Sequence, residues 1–121
     1  MNPEIKKQWV DALRSGKYKQ GRDYLRNKRD EFCCLGVLCD LYAQKFNIPW
    51  SNEREWFELN RAYVVLPSNV VKWAELPDYD PQVNGSSLAT WNDGYVNEDG
   101  ETYDIEPKDF LTIADMIEEE L

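Results

Sequence analysis

A single α+β domain over residues 1–121, with three or four helices packed on a small, mainly antiparallel sheet, is the fold class that this sequence predicts. Three observations predict it. The chain has 121 residues, 42% of them hydrophobic, with five Trp, seven Tyr and four Phe; at that size about two thirds of the unfolded surface can be buried around one core. Apolar residues recur at helical spacing near both ends and around residues 33–46. Between those stretches, β-branched and aromatic residues alternate with turn signals, as short strands do.

The first helix is predicted over 3–15. Asn2 precedes Pro3 as an N-cap precedes the first helical position, Glu4 suits the positive end of the helix dipole, and Ile5, Trp9 and Leu13 recur every four residues until Ser15-Gly16. KYKQGRDYLRNKRDEF, residues 17–32, reads as a short hairpin or extended segment turning near Asn27-Lys28. FCCLGVLCDLY, residues 32–42, opens a helix over 33–46 that is buried on most sides. Leu35, Leu38, Cys39, Tyr42 and Phe46 share a broad face with Cys34 and Leu41, leaving Gly36, Asp40 and Gln44 as a narrow polar stripe.

The three cysteines raise the question of a metal or redox centre. On a helix Cys33 and Cys34 point about 100° apart and Cys34 and Cys39 about 140° apart, so no pair has the i, i+4 relation that lets two side chains share an ion. The chain has no His, and a zinc site would have to borrow carboxylates. No C-x-x-C pair supports redox chemistry. The expectation is core packing, with no metal and no cofactor.

Beyond Phe46, Trp50, Trp56 and Phe57 are predicted to anchor a long connection to the core. AYVVLP, residues 62–67, reads as a buried strand, and Ser68 as the cap of a brief helix carrying Val70, Val71, Trp73 and Ala74. SLATWNDGYVNEDGETYDIEP, with turn signals at Asn92-Asp93-Gly94 and Asp99-Gly100, predicts a three-stranded meander. Pro107 is placed at the start of a last helix with an apolar stripe of Phe110, Ile113, Ile117 and Leu121. Glu118, Glu119 and Glu120 then fall where the dipole disfavours anions, so either that end frays or a basic partner within the first thirty residues compensates it.

The net charge of −9 is unevenly distributed. Residues 1–30 carry nine Lys or Arg against four Asp or Glu, and residues 31–121 carry five against nineteen. Folding either keeps these regions apart or interleaves and neutralises them. The excess of carboxylates argues against direct binding of nucleic acid. No apolar run approaches the eighteen or so residues of a membrane span, and the amino terminus lacks the apolar stretch of a signal peptide. With an odd number of clustered cysteines, the expectation is a reducing, cytoplasmic setting.

YKQGRDYL, FCCLGVLCDLY, LPSNVVKWA, WNDG and FLTIADMIEEEL together resemble a group of small proteins encoded by tailed bacteriophages and prophages, whose most specific feature is the F-C-C-L-G-V-L-x-D-L-Y block. The likeness runs through most of the chain. It departs at Arg22-Asp23, where relatives keep a second small residue after Gln-Gly. The resemblance implies an accessory protein expressed inside a bacterial host, and it implies no activity or catalytic residues.

Catalytic parts are sparse. Histidine is absent, no Ser or Cys lies in a nucleophile motif, and the six glycines form no phosphate loop. Asp78, Asp80, Asp93, Asp99 and Asp104 match no metal-nuclease spacing. Asn97, Asp99, Gly100 and Glu106 fall at four positions of an EF-hand loop, but Tyr95 stands where its first carboxylate belongs, so Asp99-Gly100 is read as a hairpin turn. What remains is a basic stretch interleaved with aromatics. Lys17, Tyr18, Lys19, Arg22, Tyr24 and Arg26 could hold a phosphate and stack a base, with Trp91 and Asn92 as a second surface.

The leading expectation is therefore a non-enzymatic binding protein that sequesters a small anionic, nucleotide-type ligand. The alternatives are an acidic, nucleic-acid-mimicking inhibitor of a host protein and a carboxylate- and metal-dependent enzyme. Self-association stays open.

Overall fold

Asn2 caps the first helix as its place before Pro3 requires: its Oδ1 accepts from the backbone N–H of Glu4 at 2.9 Å and of Ile5 at 3.1 Å. The computed structural model describes residues 1–121. In chain order its elements are α1 (Pro3–Arg14), β1 (Lys19–Gln20), β2 (Glu31–Phe32), α2 (Cys34–Lys45), α3 (Ser68–Ala74), β3 (Gln82–Val83), β4 (Ser86–Ser87), α4 (Leu88–Asp93), β5 (Tyr95–Val96), β6 (Tyr103–Ile105) and α5 (Phe110–Glu120). The α+β domain expected from the sequence is present. Its strands are divided among three two-stranded ladders: β1 with β2 in parallel, and β3 with β4 and β5 with β6 antiparallel.

α2 is the centre. Every residue from Cys34 to Cys39 is buried, and Cys33, Cys34 and Cys39 are free thiols packed among Leu35, Val37 and Leu38, as expected of small hydrophobes. Gly36 does not lie on a polar stripe. A Cβ there would come within 1.8 Å of the Leu25 carbonyl oxygen, so helix and loop meet backbone to backbone. Only Asp40 and Gln44 keep a polar face. Asp40 accepts from Tyr18 Oη at 2.7 Å, Gln44 Nε2 at 2.6 Å and Trp50 Nε1 at 3.0 Å.

α1 packs on both α2 and α5. Trp9, fully buried, donates its indole N–H to the Cys34 carbonyl at 2.9 Å. Arg14 reaches Asp115 at 2.7 Å and Glu118 at 2.9 Å, so a cation from the first thirty residues offsets part of the acidic end of α5. α5 itself begins at Phe110, not at Pro107, because Asp109 caps it by accepting the Thr112 N–H at 2.9 Å. α3 likewise includes Ser68 as its first residue, with Pro67 at the cap position. No helix is long and apolar enough to cross a membrane.

Two expectations about strands are also corrected. The meander over residues 87–107 holds only for its last hairpin, because Ser87 Oγ accepts the Thr90 N–H at 3.2 Å and starts α4, burying Leu88 and Asn92. AYVVLP forms no strand. Asn60 and Arg61 take left-handed backbone (φ 50° and 69°), the ladder ends at the Leu59–Ala62 bridge, and Tyr63, Val64 and Val65 emerge 39%, 42% and 38% exposed. Leu66 and Pro67 then return to the interior.

Gly36→Ala should raise helix propensity yet lower stability, by about 3 kcal/mol or more, since the new methyl meets a carbonyl that the core holds in place. Urea denaturation checks this, with Gly100→Ala as a contrast: it places its methyl in open space at a φ of 73° and should cost only about 1 kcal/mol. Burial pushes the Cys33 thiol up to about 12 and raises Cys34 and Cys39 in the same direction. The folded state therefore keeps protons that an unfolded thiol releases near pH ~8.5. Stability from these groups is complete below about pH 8.5 and should fall as pH rises from there toward 12, visible as a declining urea midpoint.

Candidate ligand-binding surface

Leu25 joins α2 to a surface made from three separate segments. Its carbonyl accepts the Cys33 N–H at 3.2 Å and its own N–H donates to the Tyr63 carbonyl at 2.7 Å. Next to it, Phe57 donates to the Arg26 carbonyl at 3.0 Å, and Leu59 and Ala62 exchange bonds of 3.0 and 2.9 Å. Residues 24–27, 56–59 and 62–63 thus run side by side, although isolated bridges replace a regular sheet. Leu25 and Leu59 point inward and are fully buried. Tyr24, Trp56 and Tyr63 are left on the outer side, where their rings form a column.

Tyr24 stacks on Trp56 with centroids 5.3 Å apart and planes at 15°, and Trp56 stacks on Tyr63 at 5.0 Å and 24°. Glu58 holds the middle ring by accepting the Trp56 indole N–H at 3.0 Å, with Arg54 at 3.8 Å from the same carboxylate. At the Tyr63 end lies an open cavity of about 310 Å³, lined by Arg61, Ala62, Tyr63, Val64, Val65 and Leu66. Arg61 is exposed and makes no ion pair. An aromatic face, two valines and a free guanidinium suit a planar ligand that carries an anionic group.

The sequence-predicted residues are dispersed, and Tyr24 is the one that belongs to this column. Arg26 lies 4.0 Å over the Phe57 ring and pairs with Asp30 at 2.7 Å, so its charge is already engaged and the side chain serves as a support. Lys19 approaches Glu31 at 3.4 Å; the Glu31 carboxyl sits below its usual range because Asn27 donates to it and, secondarily, Lys19 is near. Lys17 and Tyr18 border a different cavity, of about 620 Å³, whose charged walls are mostly Asp11, Asp30 and Asp40. Burial, followed by the Asp40 bond, pushes the Tyr18 phenol well above its ordinary range, so it stays a donor.

Arg22 borders a small polar cleft with Gln20, Lys108 and Asp109. Trp91 donates to the Val83 carbonyl at 2.7 Å and lies half-buried against the core. Asn92 is the clearest correction: it is fully buried in α4 and not at a surface turn. Its Oδ1 accepts from Gln20 Nε2 at 2.9 Å and the Cys34 N–H at 3.1 Å, and its Nδ2 donates to the Gly21 carbonyl at 2.9 Å and to Asp93 at 2.8 Å. No polar atom of Asn92 remains for a ligand. Trp56, Arg61 and Tyr63 were missed because their segments read as core anchors and a buried strand; the signal available was the placing of Arg54 and Arg61 around those rings in REWFELNRAY.

The family model described as Domain of unknown function (DUF8296) matches residues 1–121. The chain belongs to this family. No curated protein and no solved structure matches it. The DUF8296 description assigns no chemistry, and the aromatic column is the feature of this member with recognisable binding geometry.

Tyr63→Ala should shorten the column and weaken the near-ultraviolet circular dichroism of Trp56, while costing no more than about 1 kcal/mol of stability because Tyr63 is partly exposed. A loss of several kcal/mol in urea denaturation would make the column a structural element instead.

Proposed function

We propose that this protein binds a small anionic, nucleotide-type ligand, with the base stacked on Tyr63 and the phosphate beside Arg61. The single observation that carries the reading is the three-ring column ending in an open cavity next to an unpaired arginine. A nucleobase added to that column would gain about 1–3 kcal/mol from stacking. The volume of about 310 Å³ is at the small end of ligand sites, which favours a mononucleotide over a larger cofactor. The left-handed turn at Asn60-Arg61 fixes the backbone next to Tyr63 before any ligand arrives, so less order is lost on binding.

The resemblance of the FCCLGVLCDLY block to proteins of tailed phages and prophages supports an accessory role in the cytoplasm of a bacterial host, where retaining a nucleotide signal would blunt a host response. Binding is favoured over catalysis on positive grounds. Apart from the Tyr63 phenol, the side chains lining the cavity are a guanidinium and apolar groups, which neither donate nor take a proton near neutral pH, and the nearby Glu58 carboxylate is engaged by the Trp56 indole and Arg54.

Isothermal titration with ribonucleoside monophosphates and the matching nucleosides tests the reading. Tyr63→Ala should weaken both classes about tenfold or more, whereas Arg61→Ala should weaken the monophosphates and leave the nucleosides unchanged. Equal affinity in wild type and both variants, or no heat with any member at millimolar concentration, would sink it.

A further inference from the structure

The hairpin formed by β5 and β6 is fixed at both ends yet uncovered along its first strand. At its base, Gly94 (φ 81°) is packed so closely that a Cβ would lie 2.8 Å from the Tyr103 ring and 2.9 Å from Pro107. At its tip, Asn97 Oδ1 accepts the Asp99 N–H at 2.9 Å, and Asp99 Oδ1 accepts the N–H groups of Glu101 at 2.7 Å and Thr102 at 2.9 Å. Those two N–H groups hold the Asp99 carboxyl below its usual range, so the tip keeps its charge and its bonds at neutral pH. Tyr95 and Val96 nevertheless stand 59% and 41% exposed, and Leu111, one residue into the helix that follows, is 57% exposed. A preorganised element with uncovered apolar side chains is the form that a docking surface takes.

The charge around it selects the occupant. Residues 75–121 hold fourteen carboxylates and one cation, Lys108. Only Asp115 and Glu118 among those acids enter ion pairs, both with Arg14. The first thirty residues make their other ion pairs nearby in sequence, Lys7 with Asp11, Arg26 with Asp30 and Lys19 with Glu31, so the rest of the acidic region stays unpaired. Glu98, Glu101, Asp104 and Glu106 are exposed and unpaired on or next to the hairpin.

We infer that the hairpin docks a Lys- and Arg-rich protein surface with an apolar centre: Tyr95 and Val96 fill the centre, and the four carboxylates meet the surrounding cations. A second copy of the chain, also at −9, is repelled by the same field.

The test uses the full isotope-labelled chain and a short peptide alternating lysine and leucine, followed by NMR at about 20 and about 200 mM salt. Amide shifts should concentrate in residues 95–106, and affinity should drop steeply with salt. Tyr95→Ser with Val96→Ser should weaken binding about tenfold or more, and Glu98→Gln, Glu101→Gln and Asp104→Asn together should flatten the salt dependence. Shifts spread over all acidic surfaces and indifferent to Tyr95→Ser, no binding at low salt, or self-association through the hairpin in sedimentation would each overturn the inference. Tyr63→Ala should leave peptide binding intact, so this surface and the nucleotide site fail or stand separately.

Discussion

With no side chain at Gly36, the central helix approaches the carbonyl of Leu25 more closely than any other residue would permit, and the loop after β1 is drawn onto the most buried turn of the protein. Leu25 then has fixed positions for both its polar backbone groups: its carbonyl accepts from Cys33 and its N–H donates to the Tyr63 carbonyl. That second bond aligns residue 24 with residue 63, and the Phe57-to-Arg26 bond inserts residue 56 between them. The aromatic column is thus a consequence of helix packing two layers below it. Asn92 secures the same helix by accepting the Cys34 N–H, which would otherwise be orphaned at a buried helix start, and Trp9 adds a bond from its indole to the Cys34 carbonyl.

The cations of the amino-terminal quarter are divided by function. Arg14 joins the two terminal helices, Arg26 supports Phe57 from within, and Lys19 answers Glu31. Of the acids beyond residue 75, only Asp115 and Glu118 are paired, so most of the acidic charge visible along the chain stays unpaired in the fold. A free guanidinium remains at Arg61, beside an aromatic face, and a field of unpaired carboxylates remains around the Tyr95–Ile105 hairpin. The aromatic column beside Arg61 and the acidic hairpin coexist because they draw on different segments.

Much of the fold was readable without coordinates. The cap at Asn2, the spacing of Ile5, Trp9 and Leu13, the burial of the cysteine helix and the apolar stripe of the last helix all follow from local periodicity and capping, which act over a few residues. α4 escaped because its six residues are too short for a period to register, and a serine cap outweighed an Asn-Asp-Gly turn signal. Gly36 escaped because periodicity assigns it to a polar stripe and cannot register a carbonyl arriving from a distant loop.

The candidate site divides in the same way. The sequence by itself determined which residue types were available, aromatics interleaved with cations, many carboxylates and no histidine, and these suggested binding as the reading to pursue. It could not decide which of those residues would meet. Tyr24, Trp56 and Tyr63 are separated by 32 and 7 positions and come together only through hydrogen bonds between non-adjacent segments, while Arg26, their near neighbour in sequence, is turned inward by Asp30 and Phe57. Residue type is a local property fixed by the chain; convergence depends on long-range packing, and here that packing is set by the one place where a helix carries no side chain.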